Sequence, residues 1–105
     1  MTDKPVHYKC IHLQKAQELL NDPGTVIIDI RDKVSFQAGN IPNSINLSDD
    51  NIIDFLDSTD RKAPLLIYCY HGINSKDAAE YFVNNGFKSV FSLDGGYTEF
   101  SQQKS

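Results

Sequence analysis

Apolar side chains recur along this chain with two periods. Residues 25–30, TVIIDI, are β-branched and continuously apolar as far as Asp29, and residues 65–69, LLIYC, repeat that pattern after Pro64. Such runs mark strands covered on both faces, and hence a parallel sheet. Tyr8–Ile11, residues 44–47 and residues 89–93 read as three further strands. Between them the period lengthens. Leu13, Ala16, Gln17 and Leu20 fall at helical spacing before the breaker Asn21-Asp22-Pro23-Gly24. Asp32 is placed to cap one short turn through Phe36, which Gly39 ends. Ser48 or Asp49 is placed to cap a helix carrying Ile52, Ile53, Phe55 and Leu56. Residues 75–85 predict a helix with Ala78, Ala79, Phe82 and Val83 inward and Gly86 as its C′ residue, and residues 97–102 predict a last short helix after Gly95-Gly96. Five strands alternating with helices predict an α/β fold: a five-stranded parallel sheet with helices on both faces.

At 105 residues, 40% hydrophobic and 23% charged, the chain suits one folded domain, with an ordered core over about residues 6–102. The net charge of -4 comes from interspersed acids and bases. With no Lys/Arg cluster, nucleic-acid binding has no electrostatic support, and an acidic membrane surface is disfavoured. The N-terminal MTDKPVHYKC has no apolar segment of signal-peptide type, and no run approaches the ~20 residues of a membrane span, so the chain reads as cytoplasmic. Two cysteines, Cys10 and Cys69, stand 59 positions apart. A bridge between them needs an oxidising compartment. In a reducing cytosol Cys10 reads as structural and Cys69 as the reactive thiol.

Cys69 ends the buried run, and YHGIN separates it from a helix start at Ser75. Ligands of parallel sheets bind beyond the carboxyl ends of strands, where Cys69 falls. A short strand-to-helix loop can turn its N–H groups onto one point, an anion nest reinforced by the helix N-terminus. Gly72 permits the positive φ that such a loop needs. A thiol in that cradle ionises more readily and becomes a nucleophile activated by its surroundings. The same cysteine also suits a small buried hydrophobe. His71 is a candidate base or anion ligand, or a solvated loop residue. His7, His12 and His71 are scattered without metal-ligand spacing, so no metal and no cofactor is expected. Asp29, ending a buried strand, calls for pairing with Arg31 or loop amides, and Asp94 reads as a turn residue bonding the backbone.

Three segments together resemble the single-domain rhodaneses. CYHGINS at residues 69–75 is similar to their C-x-x-G-x-[RS]-S loop. Residues 26–47, VIIDIRDKVSFQAGNIPNSINL, resemble the strand ending in Asp-x-Arg and the Gly-His-Ile-Pro-like segment. FSLDGGY at residues 91–97 resembles the C-terminal Gly-Gly segment. The Cys-Tyr-His-Gly start is that of the GlpE type of thiosulfate sulfurtransferase. The resemblance implies a rhodanese-like domain and a double displacement: Cys69 attacks the outer sulfur of thiosulfate, sulfite leaves, and a Cys69 persulfide passes its sulfur to cyanide or a thiol, including that of a thioredoxin-like protein. Tyr70, His71, Gly72, Ile73, Asn74 and Ser75 then form the substrate-binding loop. Three positions depart from the pattern. Asn74 stands where Arg is frequent, Asn40 replaces the usual His after Gly39, and Phe100 stands where Trp is common. With Tyr70, Ile73 and Asn74 uncharged, thiosulfate binding would rest on backbone amides and the helix end.

Two other functions compete. Related dual-specificity phosphatase domains use a cysteine loop one residue longer that ends in Arg. Here the sixth residue after Cys69 is Ser75, and Tyr68 rather than His precedes the cysteine, so a phosphoryl group would lack its bidentate partner. The other is a non-enzymatic module, either a sulfur carrier in a protein persulfide relay or an interaction domain.

Overall fold

The computed structural model describes residues 8–103. His7, named above, and residue 6, where the expected ordered core begins, lie outside the described residues, as does the end of the tail. The elements run β1 (Tyr8–Ile11), α1 (Leu13–Asn21), β2 (Val26–Asp29), α2 (Lys33–Ala38), β3 (Ser44–Asn46), α3 (Ile52–Ser58), β4 (Leu65–Tyr68), α4 (Asn74–Asn84), β5 (Val90–Leu93) and α5 (Gly96–Gln102). The strands form one sheet in the order β1-β5-β4-β2-β3, and every pairing is parallel.

Period-2 alternation divides the core between the two faces of the sheet. Ile28, Leu65, Ile67 and Val90 join Leu47, Phe55, Leu56, Ala79, Phe82 and Phe87, so α3 and α4 cover that side. Ile27, Leu66, Tyr68 and Leu93 join Leu13, Ala16 and Ile41 on the other side, with Tyr97 and Phe100 packed against them. All four residues of β4 are fully buried, as its unbroken apolar run requires of the middle strand. α4 ends in a Schellman motif: Phe87 N–H reaches Phe82 O at 3.2 Å, Gly86 N–H reaches Val83 O at 3.0 Å, and Gly86 has φ +99°.

The start of α3 differs from expectation. Neither Ser48 nor Asp49 caps it, and the helix begins at Ile52. Ser48 closes the preceding turn instead, accepting Asp50 N–H on its hydroxyl at 3.2 Å and donating its own N–H to Asn51 Oδ1 at 2.8 Å. Asn51 is drawn there because its Nδ2 also donates to Asn46 O at 3.0 Å, the end of β3. Ile53 consequently faces solvent. Cys10, read above as structural, is a free and exposed thiol on the edge strand β1, which pairs on one side only, with β5. Asp94 engages the backbone through its N–H to Ile11 O at 2.8 Å, while its carboxylate faces the exposed His12 ring at 3.8 Å. Among the described residues no helix is long and apolar enough to cross a membrane.

Candidate active site

In the sheet, β2 passes the chain outward to β3, whereas β4 passes it the other way to β5. The crevice at this reversal is where open parallel sheets bind ligands, and Cys69 stands at it, immediately after β4.

The loop after Cys69 turns two kinds of backbone group in opposite directions. Its N–H groups face inward: Gly72 N lies 3.2 Å and Ser75 N 3.3 Å from Cys69 Sγ. Its carbonyls face α5: Tyr97 N–H takes Cys69 O at 2.8 Å and Thr98 N–H takes Tyr70 O at 3.0 Å. The unpaired first-turn donors of α5 thereby clamp the loop. Two glycines make the fit possible. Gly72 has φ +87°, and a Cβ there would lie 2.9 Å from Gly95 N. Gly96 has φ +56°, and a Cβ there would run into Cys69 O and the Tyr70 carbonyl. Gly96, which the sequence offers only as a turn former, is thus the seat of the cysteine loop.

Cys69 is 4% exposed, so its sulfur lies at the floor of the loop. Burial pushes the thiol up. The Ser75 hydroxyl and the N–H groups of Ser75, Gly72 and His71 pull it down by hydrogen bonding and prevail, leaving the pKa below that of an ordinary cysteine. Two main-chain N–H groups of the loop, those of Gly72 and Ser75, thus point at the sulfur.

The predicted loop residues divide by direction. Cys69, Gly72 and Ser75 are buried together, and His71 contributes its main-chain N–H while its ring is exposed. Tyr70, Ile73 and Asn74 point their side chains outward, with Ile73 71% exposed. Tyr70 is nevertheless held. Its hydroxyl donates to Asp32 Oδ1 at 2.7 Å and also meets the Ser35 hydroxyl. Asp32 caps α2 as expected, accepting Ser35 N–H at 3.0 Å. The Tyr70 hydroxyl, followed by the N–H and hydroxyl of Ser35, lowers the Asp32 carboxyl to about 2.

Asp29 and Arg31 form the structural pair foreseen. Arg31 Nη2 lies 2.8 Å from Asp29 Oδ2, Nε lies within 3.2 Å of both oxygens, and Nη2 also donates to Gly39 O at 2.6 Å. The guanidinium lies 4.1 Å from the Tyr97 ring centroid, with Tyr70 and Tyr68 at 5.4 and 5.5 Å. Burial holds the neighbouring Tyr68 phenol up at about 12. Among the described residues, no group of three or more His, Cys, Asp or Glu side chains is arranged to hold a metal ion.

Comparison with known proteins bears on this arrangement directly. The profile of the Rhodanese-like domain matches residues 12–103. The thiosulfate sulfurtransferase GlpE of Pseudoalteromonas translucida is 46% identical over 91 residues, covering 87% of this chain and 87% of that protein. Among solved structures, a rhodanese-like domain protein from Staphylococcus aureus superimposes with a TM-score of 0.73 at 28% identity, over 86% of this chain and 88% of that one. A human single domain sulfurtransferase superimposes with a TM-score of 0.80 over 91% of this chain and 97% of that one; at 18% identity it speaks for the fold alone. With its sheet order, its buried loop cysteine and this degree of identity, the chain belongs to the rhodanese-like family.

Proposed function

We propose that this protein is a rhodanese-type sulfurtransferase that takes sulfur from thiosulfate and carries it as a persulfide on Cys69. The observation behind this reading is the convergence of Gly72 N–H and Ser75 N–H on Cys69 Sγ at 3.2 and 3.3 Å. The curated relatives at 46% identity are themselves thiosulfate sulfurtransferases. In the first half-reaction the Cys69 thiolate attacks the outer sulfur of thiosulfate. The Sγ–S bond forms as the bond between the two thiosulfate sulfurs breaks, and its electron pair leaves with sulfite. The negative charge of the thiolate passes to the terminal sulfur of the persulfide, which the same donors stabilise. Sulfite is a stable leaving group, so no general acid is required. In the second half-reaction cyanide or a thiolate attacks the terminal sulfur, and the Cys69 thiolate returns. A reducing cytoplasmic setting keeps the sulfur available as a thiol.

The exposed Ile73 and Tyr70 at the loop rim favour a second reading, transfer between protein persulfides with little turnover of free thiosulfate. A small thioredoxin-like protein would serve as acceptor in either case. Incubation with thiosulfate followed by intact mass separates the readings. Gain of one labile sulfur atom, lost on adding cyanide with release of thiocyanate, supports the first. A mass that stays unchanged in thiosulfate but rises with a protein persulfide donor supports the second. Thiocyanate formation that survives Cys69→Ser contradicts both.

A further inference from the structure

β5 reads VFSL, and its Ser92 is fully buried in an otherwise apolar strand. A buried hydroxyl is costly unless it is hydrogen-bonded. The main chain of Ser92 lies in the ladders between β1 and β4, where it pairs with Cys10 and Ile67. Its Oγ lies 2.7 Å from Ser75 Oγ, which is fully buried as well. Among the described residues that hydroxyl is its hydrogen-bond partner. Ser75 in turn reaches Cys69 Sγ with its N–H at 3.3 Å, and its hydroxyl is among the groups that pull the thiol's pKa down.

Proton counting sets the direction of this chain. An ionised cysteine sulfur, like a persulfide, accepts hydrogen bonds and donates none. Ser75 has one hydroxyl proton, which can go either to the sulfur or to Ser92. Given to the sulfur, it leaves the bond between the two serines to be donated by Ser92. We propose that Ser92 is a positioning residue for the nucleophile: its hydroxyl donates to Ser75 and thereby commits the Ser75 proton to the Cys69 sulfur. When Cys69 carries its proton, S–H donates to Ser75 and the chain runs the other way, so ionisation of the thiol reverses both serine hydroxyls. Buried chains of this kind strengthen each bond they contain. The space left by one hydroxyl is smaller than a water requires, so solvent does not replace Ser92. Ser92 itself does not touch the sulfur. The inference rests on the reading of Cys69 as the nucleophile.

The test is the pH dependence of Cys69 alkylation by iodoacetamide in a Cys10→Ser parent, which removes the exposed second thiol. Ser92→Ala is expected to raise the midpoint by about half a pH unit, and Ser75→Ala to raise it further. Ser92→Thr, which keeps the hydroxyl on a strand-favouring residue, is expected to match the parent. In the Ser75→Ala background, adding Ser92→Ala is expected to change nothing, because the effect passes through Ser75. Thermal melting establishes that each variant is folded. A parent-like midpoint in Ser92→Ala overturns the proposal, and so does an equal upward shift from Ser92→Ala with Ser75 already removed. The assay contains no thiosulfate, so absence of a persulfide in the parent would refute the transferase reading and leave this result standing.

Discussion

Two polar clusters sit side by side at the carboxyl end of the sheet, one after β2 and one after β4, and they use their hydrogen bonds differently. After β2, Asp29 and Arg31 satisfy one another through a bidentate pair, and Gly39 O and the Tyr97 ring take up the rest of the guanidinium. That cluster holds permanent charges that are committed to one another. After β4, main-chain N–H groups and one hydroxyl surround a sulfur that can be neutral, ionised or, in the proposed cycle, extended by a second sulfur. Charge there depends on the state of the sulfur, and the donors are in place whichever state it takes. The contrast supports a reading in which Arg31 serves the fold and the amide cradle serves the proposed chemistry, although an arginine so near the site would otherwise be the obvious anion ligand.

Breaking either cluster should have a distinct signature. The largest effect belongs to Cys69→Ser, which is expected to reduce thiocyanate formation to background while leaving the melting temperature near that of the parent, since serine fits the same loop. Asp29→Ala strands a buried guanidinium. It is expected to cost ~3–5 kcal/mol in denaturant unfolding, with little change in the alkylation midpoint of Cys69 in whatever fraction remains folded. Gly72→Val forces a side chain into φ +87° and against Gly95 N. Strain of ~1–3 kcal/mol follows, and transfer is expected to fall by more than that stability loss implies, because the N–H of residue 72 swings away from the sulfur. An unchanged transfer rate would count against the cradle.

The smallest effect concerns Asp32, which ties Tyr70 to α2. Its carboxyl is lowered to about 2 in the folded protein, from the ordinary carboxylate range in the unfolded chain. A depressed folded value means stability that is present above the unfolded pKa of ~3.9 and lost as pH falls through the folded one. Parent and Asp32→Asn are therefore expected to differ in stability above about pH 4 and to converge towards pH 2, as followed by circular dichroism. A difference that is constant with pH would remove the Tyr70–Asp32 tie.

Much of the fold was legible because parallel strands covered on both faces leave continuous apolar runs, and TVIIDI and LLIYC can hardly be anything else. Helix ends were legible where one residue had no rival, as Gly86 and Asp32 show. They were not where rivals stood in a row. Ser48, Asp49, Asp50 and Asn51 can all cap a helix, and the choice is made by Asn46 O, reached only once β3 is in place. Cys10 was misread because edge position is a property of strand order, which local pattern does not carry. The site divides similarly. Cys69, Gly72 and Ser75 declare themselves by spacing within seven residues. Gly96, which seats the loop, and Ser92, which backs Ser75, come from elements that the sheet brings alongside. Ser92 did leave one signal, a polar residue inside the VFSL run, and a buried polar position asks for a partner.

The central claim is that backbone amides and the Ser75 hydroxyl make Cys69 ionise more readily than an ordinary cysteine. The most direct measurement is the alkylation midpoint of Cys69 in the Cys10→Ser protein. A midpoint clearly below the ~8.5 of a free cysteine is expected, whereas one at or above that value would mean that burial prevails over the donors and would contradict the claim.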